Sequence, residues 1–224
     1  MAIDKRVGSA AEAVSDVGEG ASVMISGFGG AGFANDLVLA LRDRGVRGLT
    51  LIVNSATHPL SFTHTLIEAG MVAKVICSAA RGRGKGLSAF EQLWKDGRIE
   101  LVALPQGTFA ECIRAGGAGI PAFYTPSGFG TDLTRGKETR RFGGRDYVLE
   151  EALVADVALV RGDVADRFGN MTFRYAQKNF GPAMATAAKL TIAEVRMVQE
   201  MPLAPERVEL PGVYVNRVVV AGGV

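Results

Sequence analysis

Gln106 stands in the run Pro105-Gln106-Gly107-Thr108, directly after the apolar stretch Ile99 to Leu104. A side-chain amide at a strand end can aim an N–H at an oxygen that gains negative charge, which is what acyl transfer requires. The chain also spends glycine freely at two places. One is Gly27-Phe28-Gly29-Gly30-Ala31-Gly32, after an earlier apolar run, and the other is Gly116, Gly117 and Gly119, downstream of Gln106. Glycine at that density suits backbone that turns sharply or comes close to a ligand. The competing structural readings are a glutamine that caps its own turn and glycines that end a helix.

The first glycine run matches G-x-G-x-x-G between a strand and a helix, the arrangement that seats a dinucleotide pyrophosphate. A dinucleotide site also needs an acid at the end of the next strand, where this chain has Asn54 in Val53-Asn54-Ser55-Ala56. The run from Ser26 to Gly32 therefore reads as a loop that presents bare amides to some other ligand, with Asn54 on the same edge. A third feature, Arg81-Gly82-Arg83-Gly84-Lys85-Gly86, places three cations after another apolar run. Guanidinium forks suit carboxylates and phosphates, although a solvated loop explains Arg81, Arg83 and Lys85 equally well.

No metal site is expected. His58 and His64 are six residues apart, which is not a shared helix face, and they have no companion cysteine cluster. His58 reads as a residue of the ligand edge and His64 as a helix surface residue. Cys77 and Cys112 lie in apolar or helical stretches outside any Cys-x-x-Cys spacing and read as reduced packing residues.

These residues can meet only if the fold gathers strand ends. Short apolar runs alternate with helical patterns in the first half, the signature of a parallel sheet. Strands are expected at Ser22 to Ile25, Leu49 to Val53, Val72 to Cys77 and Ile99 to Leu104. Helices are expected after each: one capped by Asn35 and ended by Gly45, one over Ser61 to Ala69, one from the Ser88/Glu91 capping box through Lys95, and one from a Thr108/Glu111 box to Ala115. Trp94, one turn from Phe90, is expected in the core. Four loops should then share one edge: Ser26 to Gly32, Asn54 to Pro59, Ala79 to Gly86, and Pro105 to Gly107. Beyond Gly116 the chain becomes turn-rich, and Val157 to Val160, Leu190 to Val195 and Val213 to Val220 read as later strands of the same sheet, some antiparallel.

A chain of 224 residues, 48% hydrophobic and 21% charged, reads as a globular protein, here one domain over 1–224 with no linker or repeat. A net charge of +2 is no footprint for nucleic acid, and no run approaches a membrane span, so the cytoplasm is the expected compartment.

Pro105-Gln106-Gly107-Thr108, followed by Glu111, Ile113-Arg114-Ala115-Gly116-Gly117-Ala118-Gly119 and Thr125-Pro126-Ser127-Gly128, resembles the alpha subunit of class I coenzyme A transferases. The agreement continues through Asp166-Arg167-Phe168-Gly169-Asn170 and Lys178-Asn179-Phe180, nearly to the C-terminus. The resemblance implies an α/β fold with a single open, mostly parallel, Rossmann-related sheet flanked by helices. It makes the Ser26 to Gly32 loop a coenzyme A contact, although Glu19, Ser26 and Ala34 depart from the family's usual residues there. It makes Gln106 the oxyanion donor, with Gly107, Gly116, Gly117 and Gly119 beside the site. Coenzyme A is then a substrate, and no tightly bound cofactor is implied. The three cations of the Arg81 to Gly86 loop are this chain's own and would hold a far carboxylate or a coenzyme A phosphate.

In that family the nucleophile is a glutamate followed by Asn-Gly in the beta portion, and this chain contains no Glu-Asn pair. The resemblance therefore implies a beta subunit that carries the glutamate, in a heterotetramer that moves coenzyme A from an acyl-CoA, with succinyl-CoA the expected donor, to a 3-oxo acid. Two readings from other classes stand beside it: a sugar-phosphate isomerase-like enzyme on a related fold, and a non-catalytic coenzyme A or nucleotide binding module.

Overall fold

The protein is described by a computed structural model over residues 3–222. The first half alternates as expected: α1 (Ala10–Ala13), β1 (Ser22–Ile25), α2 (Asn35–Arg44), β2 (Leu49–Ser55), α3 (Thr63–Glu68), β3 (Val72–Ala79), α4 (Ala89–Lys95), β4 (Glu100–Ala103) and α5 (Gln106–Gly117). Local chemistry sets several of the boundaries. Gly45 closes α2 in the left-handed conformation that glycine adopts freely. The Ser88 hydroxyl accepts from Glu91 N at 3.2 Å and the Glu91 carboxylate accepts from Ser88 N at 2.9 Å, which completes the expected capping box of α4.

Two other helix starts differ from the reading of the sequence. Asn35 is the first helical residue of α2 rather than its cap, and its side chain instead clasps the loop before α3. It donates to Leu60 O at 3.0 Å and accepts from Phe62 N at 3.1 Å. The α5 helix begins at Gln106, two residues before Thr108, because Pro105 already stands at the cap with its carbonyl accepting from Phe109 N at 2.8 Å. Thr108 is thus inside the helix with a buried hydroxyl that has no partner among the described residues, while Glu111 pairs with Arg114. Trp94 is 46% exposed, so it lies outside the core, which α4 reaches through buried Phe90 and half-buried Leu93.

The second half adds β5 (Ala122–Thr125), β6 (Thr139–Phe142), β7 (Arg145–Glu151), β8 (Ala155–Asp166), α6 (Gly181–Thr186), β9 (Ala188–Gln199) and β10 (Arg217–Val220). The seven-stranded sheet has the order β10-β9-β8-β1-β2-β3-β4, and every pairing in it is parallel. The later strands β8, β9 and β10, some expected to be antiparallel, are thus all parallel, and antiparallel pairing occurs in a separate sheet, β5-β7-β6, whose Gly143 and Gly144 turn carries the chain from β6 to β7. Val213 lies in a short 3-10 turn ahead of β10.

Successive residues of a strand face opposite sides, and the two cores follow that rule. Ile25, Val53 and Cys77 face the core covered by α1 to α4, while Met24, Ile52 and Ile76 face the core covered by α5 and α6. The chain moves outward from β1 through β4, then returns to set β8 on the other side of β1. The strand order therefore reverses at β1/β8, and in such sheets ligands bind in the crevice beyond the carboxyl ends at that point.

Candidate active site

Strand register builds the site. Ile25, Val53 and Cys77 are aligned across β1, β2 and β3, so Ser26, Asn54 and Ser78 form the next row and point to the α5 side. All three are polar at the end of apolar strands. Ser26 is fully used: its hydroxyl donates to Gly32 O at 2.7 Å and accepts from Arg161 N at 3.1 Å, while its own N–H donates to Leu159 O at 3.0 Å. The hydroxyl thus ties the end of β1 to β8 and to the far end of the glycine loop.

Gln106 opens α5 directly over this row. Its Nε2 donates to Asn54 Oδ1 at 3.1 Å, and the same oxygen accepts from the Ser78 hydroxyl at 2.9 Å. Asn54 is 8% exposed whereas Gln106 lies at the surface. An exposed amide held by a buried one is an oriented donor, because the buried partner cannot follow water. The phenyl ring of Phe109 backs the first turn of α5 and meets Phe180 edge to face, with ring centroids 5.4 Å apart. Phe180 in turn meets Phe28 at 6.3 Å. One aromatic stack therefore runs from behind Gln106 to the tip of the glycine loop.

That loop is a two-residue hairpin. Phe28 and Ala31 exchange both backbone hydrogen bonds, at 3.0 and 3.1 Å, around Gly29 and Gly30, whose φ values of 61° and 95° favour glycine. Close approach excludes side chains from its two ends. A Cβ on Gly27 would lie 2.1 Å from the Phe33 ring, and one on Gly32 would lie 2.7 Å from Gln177 O. Asn179 then buckles the loop from below, accepting from Gly27 N at 3.2 Å and donating to Ala31 O at 3.1 Å.

The seat a pyrophosphate would take, at the start of α2, is already filled. Glu194 on β9 is 1% exposed, accepts from Leu37 N at 3.0 Å and pairs with Arg161 of β8. Burial pushes its carboxyl pKa up, and the Leu37 N–H and Arg161 pull against that shift. This occupied helix start disfavours the dinucleotide reading of the glycine motif. A cavity of 490 Å³ lies outside it, bounded by Gly30 to Phe33, Asp36, Arg161 and Glu194.

Comparison with known proteins places this geometry. A family model described as coenzyme A transferase matches residues 7–221. The chain belongs to the coenzyme A transferase family. It is 46% identical over 222 residues to the A subunit of the 3-oxoadipate CoA-transferase of Pseudomonas putida, covering 99% of this chain and 95% of the relative. It is 45% identical to the A subunit of a succinyl-CoA:3-ketoacid coenzyme A transferase of Xanthomonas campestris pv. campestris, covering 96% and 88%. Both are A subunits, names that imply a B subunit beside them. The fold matches that of glutaconate coenzyme A-transferase from Acidaminococcus fermentans with a TM-score of 0.84 at 19% identity, over 97% of this chain and 75% of that one.

In this transferase chain the structure sorts the other residues singled out from sequence. Ser26 to Gly32, Asn54, Gln106 and Gly107 gather at the carboxyl edge. Arg81, Arg83 and Lys85 lie on the next loop along that edge, where the Thr57 hydroxyl holds Arg81 O at 2.8 Å and the Arg81 side chain reaches Glu91 at 3.4 Å. His58 packs on Phe33 with ring centroids 5.0 Å apart, and burial together with the Arg83 charge lowers its pKa. Gly116, Gly117 and Gly119 are not part of this edge. They end α5, about 15 Å from Gln106 at the helical rise. Gly116 and Gly117 are small because the helix packs there on Leu153 O and Thr186.

Sequence reasoning missed Ser78, Arg161 and Glu194. The only signal was a polar residue inside an apolar strand, as in Val75-Ile76-Cys77-Ser78 and Ile192-Ala193-Glu194-Val195. Among the described residues no group of three or more His, Cys, Asp and Glu side chains could hold a metal, and no helix is long and apolar enough to cross a membrane.

Proposed function

We propose that the chain is the A subunit of a CoA-transferase that moves coenzyme A from succinyl-CoA to a 3-oxo acid, 3-oxoadipate or acetoacetate. The observation that carries this reading is Gln106, held by Asn54 at the sheet edge, in a chain 45 to 46% identical to A subunits of such enzymes. The reaction needs a carboxylate that attacks the thioester carbonyl and expels the coenzyme A thiolate to give a mixed anhydride. That thiolate then attacks the enzyme-side carbonyl, forming an enzyme thioester and expelling the donor acid as its carboxylate, and the acceptor acid runs the two steps in reverse. Each addition places charge on a carbonyl oxygen. The second N–H of Gln106 Nε2 is the donor for that oxygen, and removing such a donor costs about 10²- to 10³-fold in kcat.

The attacking carboxylate belongs to a B subunit. Three acids near this edge support that assignment, because they are already engaged. Glu194 is tied to Arg161 and Leu37, Glu91 caps α4, and Asp36 accepts from Gly222 N at 2.7 Å. Coenzyme A enters as substrate along the Ser26 to Gly32 hairpin, and no bound cofactor takes part. Arg83, whose charge is felt at His58, and Lys85, exposed on the same loop, would meet the far carboxylate of a dicarboxylic acceptor.

The test is to tag this chain in its native cell, identify the stoichiometric partner, and assay the complex with succinyl-CoA against each acceptor. Transfer activity together with a partner bearing Glu-Asn-Gly supports the reading, and so does a Gln106→Ala complex with kcat reduced about 10²- to 10³-fold. An active solitary chain, or an unimpaired Gln106→Ala complex, rejects the mechanism.

A further inference from the structure

We propose that Ser78 is a positioning residue for Gln106, acting through the amide of Asn54. The inference rests on the role given to Gln106 above. Ser78 is the last polar member of the row Ser26, Asn54, Ser78, on a strand whose preceding residues, Val75, Ile76 and Cys77, are all buried. A hydroxyl at such a position is retained only where it has partners. Its partners are two oxygens of one residue: Ser78 Oγ lies 3.1 Å from Asn54 O and 2.9 Å from Asn54 Oδ1.

That geometry fixes where the Asn54 amide sits. Asparagine carries a donor and an acceptor on one flat group, and half a turn about its last torsion exchanges them. The hydroxyl has a single proton, shared between the Asn54 backbone oxygen and Oδ1, so it clamps the side chain against its own main chain and keeps Oδ1 where Gln106 Nε2 meets it at 3.1 Å. Without the hydroxyl the Asn54 side chain loses this restraint and is free to turn. In the turned state the Asn54 NH2 faces Gln106, whose own amide must turn to offer oxygen, and the nitrogen meant for the substrate moves to the wrong position. Among the described residues the Ser78 side chain bonds to Asn54 and not to Gln106, so its effect on chemistry passes through Asn54.

The experiment is a kinetic cycle on the enzyme assembled with its B subunit, using Ser78→Ala, Gln106→Ala and the double variant, with Ser78→Thr as the hydroxyl-retaining control. A hydrogen bond of ordinary strength predicts that Ser78→Ala lowers kcat about 3- to 10-fold with KM within about twofold. Ser78→Thr should restore most of that loss, and Ser78→Ala should change kcat by less than about twofold once Gln106 is alanine. If Ser78→Ala costs the same factor in both backgrounds, the residue is merely structural and the positioning role is wrong. The same conclusion follows if Ser78→Thr is as slow as Ser78→Ala while both complexes melt like wild type. If Gln106→Ala alone leaves kcat unchanged, the reading of Gln106 fails and nothing remains for Ser78 to position.

Discussion

Replacing Gly116 with alanine should destabilise the protein without touching its chemistry. Gly116 lies in the last turn of α5, where a Cβ would sit 2.1 Å from Leu153 O, 2.9 Å from Leu153 C and 3.1 Å from Val154 Cγ1. The nearest obstacle is backbone, which cannot rotate away as a side chain can. Leu153 N also donates to Cys112 O at 2.8 Å, so the obstructing segment is fastened to the same helix and retreats only by giving up that bond. Alanine gains at most about 1 kcal/mol over glycine in helix propensity. Overpacking a tight contact costs about 1 to 3 kcal/mol, and the strained hydrogen bond about 1 kcal/mol more. The net expectation is a loss of about 2 kcal/mol, a fall in Tm of roughly 4 to 8 °C for a chain of this size. Thermal melts followed by circular dichroism, with urea unfolding at 25 °C, measure it directly. The turnover of folded enzyme should stay within about twofold of wild type, because Gly116 lies about 15 Å along the helix from Gln106. A Gly116→Ala protein that melts at or above wild type would refute the packing argument. One that folds normally but loses turnover would return this glycine to the active site.

Asp156 accepts from Ser22 N at 2.9 Å, from Ser22 Oγ at 2.7 Å and from Lys189 Nζ at 2.8 Å, and these bonds, with Lys189 the largest contributor, hold its carboxyl well below the usual carboxylate range. A carboxyl depressed in the fold stabilises above its unfolded pKa, about 3.9, and loses that contribution as the pH falls further. Asp156→Asn should therefore lower the urea midpoint at pH 7 by the equivalent of less than about 1 kcal/mol, since the group is 44% exposed. The gap should close toward pH 3, and a gap that widens in acid contradicts the assignment. Burial pushes the Cys77 thiol up to about 11 and the Cys112 thiol up to about 12, so both are protonated at pH 8. A colorimetric thiol reagent should react with neither until the chain is unfolded, and a fast-reacting thiol in the native state would show the burial to be wrong.

Strand periods, helix stops and the glycine-rich turns are local, and for that reason they could be read from sequence. The first four strands, the Ser88/Glu91 cap and the Gly45 stop appear in the structure close to where the sequence places them. The position of Gln106 after a strand was equally legible, because a proline holds the residue before it extended and so marks Leu104 as the strand's end. Local pattern failed where a longer-range partner competes. The start of α2 receives Glu194 from 157 residues away, so Asn35 is released to hold a different loop. Pro105 begins α5 early and leaves Thr108 inside the helix. The density of Gly116, Gly117 and Gly119 looks the same in sequence whether it serves a ligand or a close helix contact, and only the position of Leu153 O decides between them.

Residue types at short spacing were enough to reveal the family, the alternation of strands and helices, and the amide that could serve an oxyanion. Only the folded chain shows that Ser26, Asn54 and Ser78 form one row, that Gln106 stands over it, and that β8 closes the crevice beside β1. Those meetings join residues 24 to 135 positions apart, and register across a parallel sheet is set by the packing of both its faces rather than by any one segment.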